Sequence, residues 1–343
     1  MTKRLVLFNH KGGVSKTTTV YNLGWMLSEG ARVLLVDGDP QCNLSSLLLG
    51  DEFEKYYIDP ATQKQNIKDG VSAAFTGKPF PISAVNCFSP ARARNLHLLA
   101  GHANLSEYEA SLSLAQNSRS VFATLQSLPG AFNALIQRVE EKYEIDYTLI
   151  DLNPSLSAIN QNLFLLCDLF VIPTNPDPFS VMALETVKTF FPLWAAWKKE
   201  AIVDFAETAY PLRSGLPRFG GSFIQRFNVR KGRAAKPYRD NIEEIKAKTM
   251  SDLLPALMRA GMTLPSADYP DSLRDKSFCL AEIPDFAGLL PKSQDAGVPV
   301  FSLNDDEFGE SGTILANMKT RRDQFRSMFE EIASTLIALL KHA

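Results

Sequence analysis

Short apolar runs alternate with longer amphipathic stretches along the chain, almost from its first residue. The apolar runs predict strands at 4–9, 32–37, 96–100, 147–151, 169–173, 221–228 and 278–283. The amphipathic stretches predict helices at 16–29, 118–142, 183–199, 241–260 and 320–341. Repeated alternation of this kind is typical of βα units. The predicted fold class is therefore α/β, a mainly parallel twisted sheet flanked by helices.

Two stretches interrupt the alternation. Residues 51–90 are polar and punctuated by prolines, and residues 264–276 are rich in Pro, Ser and Asp. Neither is long enough or apolar enough to form a domain, and the chain shows no internal repeat. We expect one domain spanning 1–343, with insertions near 51–90 and 238–276.

Composition narrows the functional classes. Hydrophobic residues make up 45% of the 343 positions and charged residues 22%, as in ordinary globular proteins. A net charge of −2 means that any binding to nucleic acid or anionic lipid must come from a local patch. The four cysteines are far apart, which argues against a metal site or a disulfide framework. The apolar run at 5–8 is too short for a signal sequence, and a cytoplasmic location is expected.

The junction between the first strand and the first helix, residues 10–18, reads HKGGVSKTT. Glycines there let backbone N–H groups turn toward phosphates, and the start of the helix adds partial positive charge. Lys16 is placed to reach the β and γ oxygens of a nucleotide, and Thr17 to hold Mg²⁺ through its hydroxyl. The predicted phosphate-binding residues are Gly12, Gly13, Val14, Ser15, Lys16, Thr17 and Thr18.

Acidic residues end two later predicted strands. Asp37 and Asp39 follow the strand at 32–37, and Asp151 ends the strand at 147–151. Ligands gather at the carboxyl ends of strands in such sheets. An apolar strand that ends in an acid is what a Walker B element requires, so Asp151 is predicted to bind Mg²⁺ through water.

These motifs resemble those of the ParA/MinD superfamily. The loop has the deviant Walker A pattern K-G-G-x-x-K-[ST], and residues 37–43 have the D-x-D-P-Q-x-N pattern of the family's first switch. The resemblance implies ATP and Mg²⁺ as cofactors, slow ATP hydrolysis stimulated by an activator, and an ATP-dependent homodimer. It also implies catalytic roles for Lys11, acting across the dimer interface, for Lys16, and for Asp39, which would orient the attacking water. Asp37 would support Mg²⁺.

Two positions depart from the family pattern. Ser15 stands where relatives usually have glycine, and Asn153 stands at the first proline of the second switch, D-x-P-P. If residue 15 needed a positive φ, serine would cost about 1 kcal/mol. We therefore expect a conformation that serine tolerates.

The resemblance also extends to the nucleotide base. Residues 223–228 resemble the strand whose end faces adenine in relatives, and residues 283–285 resemble the next base-edge loop. Arg226 and Asn228, with Pro284 and Asp285, are therefore candidate base-binding residues. Ordinary strand roles remain open for Arg226 and Phe227.

The sequence is compatible with several classes of function for such a switch. A partition or positioning ATPase would bind DNA nonspecifically through a basic segment, and a solvated basic loop is the alternative. The candidate DNA-binding residues are Arg230, Lys231, Arg233, Lys236 and Arg239, joined by Lys319, Arg321, Arg322 and Arg326.

A membrane-located switch of MinD type would use the apolar stripe of the final helix, but acidic residues beside that stripe favour a helix docked on the protein. A metabolic or redox P-loop enzyme is a third class, and no suitably placed cysteine pair supports its iron–sulfur form. A dedicated client or activator protein is a fourth possibility.

Overall fold

In this computed structural model, residues 2–118, 125–230 and 233–343 are described, and seven of their strands form one parallel sheet. The strands of this sheet are β1 (Lys3–Leu7), β2 (Val33–Asp37), β3 (Leu96–Leu99), β4 (Tyr147–Asp151), β5 (Leu169–Thr174), β6 (Arg218–Gln225) and β9 (Cys279–Ile283). Their order across the sheet is β3-β2-β4-β1-β5-β6-β9. Strands β7 (Val229–Arg230) and β8 (Arg233–Ala234) form a small antiparallel pair.

Helices follow most of the strands. They are α1 (Lys16–Ser28), α2 (Asn43–Leu49), α3 (Phe53–Tyr56), α4 (Ile67–Phe75), α5 (Glu109–Ser118), α6 (Leu128–Tyr143), α7 (Ala158–Leu165), α8 (Pro178–Asp204), α9 (Lys236–Lys248), α10 (Leu254–Ala260), α11 (Asp271–Asp275), α12 (Leu289–Ala296) and α13 (Gly312–Leu340). A π-helical turn, Thr249–Leu253, joins α9 to α10.

The central strands are mostly apolar and buried because both faces of the sheet are covered. Every residue of β2 and of β5 is buried. Strands buried on both faces read as continuous apolar runs rather than as alternating patterns. Phe8, Phe164 and Phe191 lie within 6.0 Å of one another, centroid to centroid, and fix α7 and α8 against β1.

The predicted fold class is confirmed, and each of the seven predicted strands is present with shifts of a few residues. The predicted helix at 118–142 is present as α6 but begins later, at Leu128, and residues 119–124 lie outside the described part of the chain. The predicted helix at 241–260 begins earlier, at Lys236, and contains the π-helical turn.

The segments predicted as insertions contribute to the main core. Ile67 and Val71 of α4 are fully buried, and α4 packs on α6. Between 238 and 276, Ile245, Leu257 and Tyr269 are buried in the same apolar cluster. These segments are therefore packed parts of the molecule rather than loops laid over it.

The final helix is docked, as its charge pattern predicted. Phe329, Ile332 and Leu336 of α13 are buried, and the helix packs against α1. In the described ranges, no helix combines the length and apolar character that a membrane span requires.

Candidate functional site

The phosphate-binding loop lies at the carboxyl edge of the sheet, between β1 and α1. Strand β1 sits between β4 and β5, so the loop emerges near the centre of this edge. It borders a cavity of about 650 Å³. Residues 12–18 line one side of the cavity, and Asp39, Gln225, Arg226, Pro284 and Asp285 line other parts. The structure therefore brings together the predicted phosphate loop, the first switch and the predicted base-edge loop.

Ser15 has a backbone conformation that our expectation excluded. Its φ is 57° and its ψ is 30°, in the left-handed region, and it is the N-cap of α1. Gly13 also has a positive φ, of 71°. Serine adopts this left-handed conformation at a cost of about 1 kcal/mol. The expectation of a tolerated conformation was wrong.

Lys16 is held inside the loop. Its Nζ donates to the carbonyl oxygens of Asn9, at 3.0 Å, and of Lys11, at 3.2 Å. Burial lowers the pKa of Lys16 to about 8, while Asp151 and Asp39 oppose this shift. Among the described residues, this ammonium bonds to neutral carbonyls alone, and at the edge of a cavity it is suited to receive an anion.

Asp151 is a buried carboxyl with unused oxygens. It is fully buried, and neither oxygen has a hydrogen-bond partner among the described residues. Burial raises the pKa of Asp151 to about 8, with Asp37 as the next cause, and the Thr17 hydroxyl and Lys16 act in the opposite direction. Mg²⁺ prefers oxygen ligands, so Thr17 and Asp151 provide a donor set that fits this ion.

Asp37 and Asp39 differ in their partners. Asp37 pairs in register with Asp151, and its Oδ2 accepts from the N and Oγ of Ser45, at 2.8 and 2.7 Å. Burial raises the pKa of Asp37 to about 6. Asp39 borders the cavity, and its Oδ1 accepts from the N of Gln41 at 2.8 Å. Asp37 therefore anchors the first turn of α2, and Asp39 is the acid that faces the cavity.

Lys11 is bound within its own chain. Its Nζ contacts Oδ2 of Asp177 at 2.5 Å and Oγ of Ser180 at 3.1 Å. Asp177 is also the N-cap of α8, since its Oδ1 accepts from the N of Ser180 at 2.8 Å. Asp177 was not predicted as a site residue from the sequence. The Asp-Pro-x-Ser pattern directly after a strand was the available signal, because it marks a helix start at the carboxyl edge.

Comparison with protein families matches the AAA_31 family, described as an AAA domain, to residues 2–200, which is more than half of the chain. The chain belongs to this ParA-like family. The resemblance seen in the motifs is thus confirmed.

ParA-like relatives align over part of their length. The virulence plasmid ParA family protein pGP5-D of Chlamydia psittaci is 25% identical over 190 residues, covering 55% of this chain and 62% of that protein. The chromosome partitioning protein ParA of Caulobacter vibrioides is 29% identical over 181 residues, covering 52% of this chain and 58% of that protein. The chain spans about 60% of the length of these two relatives.

Solved ParA-like structures share the fold. Apo McdA from Cyanothece superposes with a TM-score of 0.59 at 18% identity, covering 98% of this chain and 100% of that chain. A putative plasmid partition protein from Borrelia burgdorferi bound to AMPPNP superposes with a TM-score of 0.56 at 19% identity, covering 98% of each chain. At these identities the likeness shows the fold alone.

The candidate base-binding residues of this ParA-like site lie in different places. Arg226 has a φ of 61°, and its Nη1 donates to the carbonyl of Gly13 at 3.1 Å. Pro284 and Asp285 line the cavity, whereas Asn228 is outside its lining and its carbonyl accepts from the N of Ala235. The structure thus places Arg226 at the phosphate loop and Asn228 beside the small β7–β8 pair.

Gln225 is a site residue that the sequence analysis missed. It is buried at the end of β6, where Oε1 accepts from Oγ1 of Thr19 at 2.8 Å and Nε2 donates to the carbonyl of Val14 at 3.3 Å. These two bonds tie the phosphate loop and α1 to β6. A polar residue at the end of an otherwise apolar strand was the signal.

Asn153, the departure in the second switch, is accommodated by local bonds. Its Oδ1 accepts from the N of Ser155 at 3.0 Å, from Oγ of Ser155 at 2.6 Å and from Nδ2 of Asn160 at 2.8 Å. An asparagine turn of this kind fixes the backbone that proline would otherwise restrict.

The predicted basic patch divides into two parts. Lys236 and Arg239 are exposed at the start of α9, and Lys231 lies outside the described residues. The backbones of Arg230 and Arg233 pair in the β7–β8 hairpin.

The cations of α13 are already bound to protein groups. Lys319 and Arg322 pair with Asp305 at 2.7 and 2.8 Å, and Arg326 pairs with Glu29 at 2.5 Å. Arg321 donates to the carbonyl of Asp285 at 3.1 Å. The α13 cations are thus a weaker candidate for DNA contacts than those of α9.

Proposed function

We propose that this ParA-like chain is an ATP-dependent switch, which binds ATP with Mg²⁺, forms a homodimer, hydrolyses ATP slowly and so positions a cargo. The observation that supports this best is that two buried groups border one site: Lys16, whose ammonium donates to backbone carbonyls, and Asp151, whose oxygens accept no hydrogen bond from the described residues. One group is suited to an anion and the other to a cation. A magnesium nucleotide satisfies both at once.

The residues of the cavity have separate roles in this proposal. Lys16 and the N–H groups of residues 12–18 hold the phosphates, and Thr17 and Asp151 hold Mg²⁺. Mg²⁺, when bound, neutralises charge on the phosphate oxygens. Asp37 keeps the first turn of α2 in place through Ser45. Asp39, which faces the cavity, orients the attacking water.

Lys11 provides the link to dimerisation. Its ammonium pairs with Asp177 in the free chain, at the rim of the phosphate loop. In the proposed dimer it leaves Asp177 and reaches the nucleotide of the partner subunit, where phosphate offers more negative charge than one carboxylate. Two subunits would thus complete each other's sites, and hydrolysis would return Lys11 to Asp177.

The relatives suggest the class of cargo. The names of the Caulobacter and Chlamydia proteins refer to chromosome partitioning and to a virulence plasmid. We propose a partition or positioning role for this chain too, with DNA as a candidate surface and with a protein activator or client.

The proposal is tested first by calorimetry with ATP and Mg²⁺, using Lys16→Ala as the variant in which binding should be lost. Light scattering then measures dimerisation. Lys11→Ala should bind ATP but remain monomeric, and Asp39→Ala should dimerise but hydrolyse at least tenfold more slowly. Absence of heat with the natural chain would refute nucleotide binding. A dimer formed by Lys11→Ala would refute the role of Lys11 in trans.

A further inference from the structure

Helix α8 has an apolar stripe on the face that points away from the sheet. Phe179, Met182 and Leu193 expose 68%, 65% and 59% of their surface. The stripe consists of Phe179, Met182, Thr186, Thr189, Leu193 and Ala196, at alternating spacings of three and four residues. This is the spacing by which one helix packs along another.

Polar side chains are expected on the outer face of a surface helix, so the exposure of these apolar side chains has to be explained. The two threonines do not restore polarity, because the hydroxyl of Thr186 bonds to the carbonyl of Met182 and that of Thr189 to the carbonyl of Glu185. Several large apolar side chains exposed along one face of a helix are a signal of contact with another molecule.

A groove lies beside the second half of the stripe. It has a volume of about 720 Å³ and is bounded by α8 on one side and by the π-helical turn and α10 on the other. Small or compact side chains line it, among them Pro192, Ala196, Pro255 and Ala256. Small residues allow the backbone of a docked helix to approach closely, so the groove suits a helix rather than an extended peptide.

The charges around the groove select the occupant. Its lining includes the cations Lys188, Lys199 and Arg259 and one acid, Asp252. Asp252 is already paired with Lys248 at 3.0 Å, and Lys188 is paired with Glu185. Lys199 donates to a neutral carbonyl, that of Ala260, at 3.1 Å. The positive charge that the groove offers to a partner therefore comes from Lys199 and Arg259, and it complements an acidic helix.

We propose that the groove between α8 and α10 binds an acidic amphipathic helix of a partner protein, with its apolar side on Thr189, Pro192 and Ala196 of the groove and on the neighbouring exposed Leu193. This goes beyond the proposed function, because the groove is separate from the nucleotide cavity and its occupant needs no ATP. The N-cap of helix α8 is nonetheless Asp177, which holds Lys11, so the partner would bind the helix that makes the switch contact.

The test uses a fluorescein-labelled synthetic peptide of three heptads, with leucine at the a and d positions and glutamate at the flanking positions. Fluorescence anisotropy should show saturable binding that weakens with salt. Leu193→Asp and Arg259→Glu should each weaken binding at least tenfold. The matched control is Ile58→Asp, which alters another apolar side chain that is 74% exposed, and it should bind as the natural chain does.

Several outcomes would overturn the proposal. These are no saturable binding, equal binding of a scrambled peptide or of one with lysine in place of glutamate, or unchanged binding by Leu193→Asp. Sedimentation without nucleotide provides a further outcome. If the natural chain dimerises and Leu193→Asp does not, the stripe belongs to a second copy of this chain. Peptide binding by Lys16→Ala separates this test from the proposed function, since that variant should lose ATP but keep the peptide.

Discussion

At the scale of single residues, Ser15 shows how a site can depart from its family pattern. It begins α1 with a φ of 57° and has no side-chain capping bond. Glycine adopts this conformation without the steric cost that serine incurs. We expect Ser15→Gly to raise the free energy of unfolding by up to about 1 kcal/mol, as measured by urea denaturation.

Ser127 provides the matched control for that substitution. It is the N-cap of α6, also without a side-chain capping bond, but its φ is −84°. Ser127→Gly should therefore lower the free energy of unfolding, because glycine gains freedom in the unfolded chain and relieves nothing in the folded one. A loss of stability in Ser15→Gly as large as in Ser127→Gly would contradict our account.

Asp151 lowers the stability of the folded chain because its buried carboxyl is kept for binding a ligand. Burial raises its pKa to about 8, whereas in the unfolded chain it loses its proton near pH 4. Between these values the folded state holds the extra proton, so this residue makes the protein less stable as pH rises. We expect Asp151→Asn to raise the free energy of unfolding at pH 7.5 by about 1 kcal/mol or more, as measured by denaturant unfolding. The variant should also reduce the dependence of that free energy on pH.

The same variant should lose the stabilisation by Mg²⁺ and ATP, since the cation would lack its carboxylate. Asp168→Asn is the control, because Asp168 is partnered by Arg213 at 2.8 Å and its loss should destabilise the chain. Both effects are measured by denaturation at pH 5.5 and 7.5, with and without magnesium nucleotide. A destabilised apo Asp151→Asn would show that its oxygens have protein partners.

At the scale of elements, strands were predictable and several helices were not. A parallel strand buried on both faces leaves an uninterrupted apolar run, as in β2. Helices α2, α4 and α7 are 7, 9 and 8 residues long, too short for a clear period. Their stability comes from tertiary packing, which sequence periodicity does not report.

In the candidate site, too, some residues were predictable from the sequence and others were not. Site residues that belong to one loop, such as Lys16 and Thr17, were predictable because residues close together in the sequence of a loop are also close together in space. Asp177, at the start of α8, and Gln225, at the end of β6, reach the loop only once the sheet has formed, so no local pattern connected them to it. The φ of Ser15 was missed because the loop's shape overrides the preference of its residue.

The junction between the phosphate loop and α8 yields a prediction at this scale. Asp177→Asn removes the charge that holds Lys11 but keeps a good N-cap for α8. We expect its free energy of unfolding to change by less than about 1 kcal/mol. If Lys11 acts in trans, the variant should also dimerise at lower ATP concentration than the natural chain, as measured by light scattering.

Asp177→Ala separates the two roles of this aspartate, since it removes both the charge and the cap. It should release Lys11 equally but lower the free energy of unfolding by about 1 kcal/mol. Unchanged or weaker dimerisation in Asp177→Asn would mean that the contact with Lys11 does not restrain the switch.

At the scale of the whole molecule, the net charge of −2 hides an uneven distribution of free cations. Lys319 and Arg322 are both neutralised by Asp305, whereas Lys236 and Arg239 are exposed at the start of α9. One subunit presents few cations to a DNA backbone, and a dimer presents twice as many to the same duplex. DNA binding, if it is the output of the switch, should therefore depend on ATP and on salt.

We expect the double variant Lys236→Ala, Arg239→Ala to weaken the ATP-dependent binding of duplex DNA and to reduce the salt slope by about 2 for each subunit. Fluorescence anisotropy from about 50 to 200 mM salt measures both quantities. The control is Lys319→Ala, Arg322→Ala, which removes the same number of charges from paired positions and should leave affinity nearly unchanged. Equal losses of DNA affinity in the two variants would show that α13 contributes to the DNA contact as much as α9 does. No binding of the ATP-bound natural chain at low salt would leave a protein as the cargo.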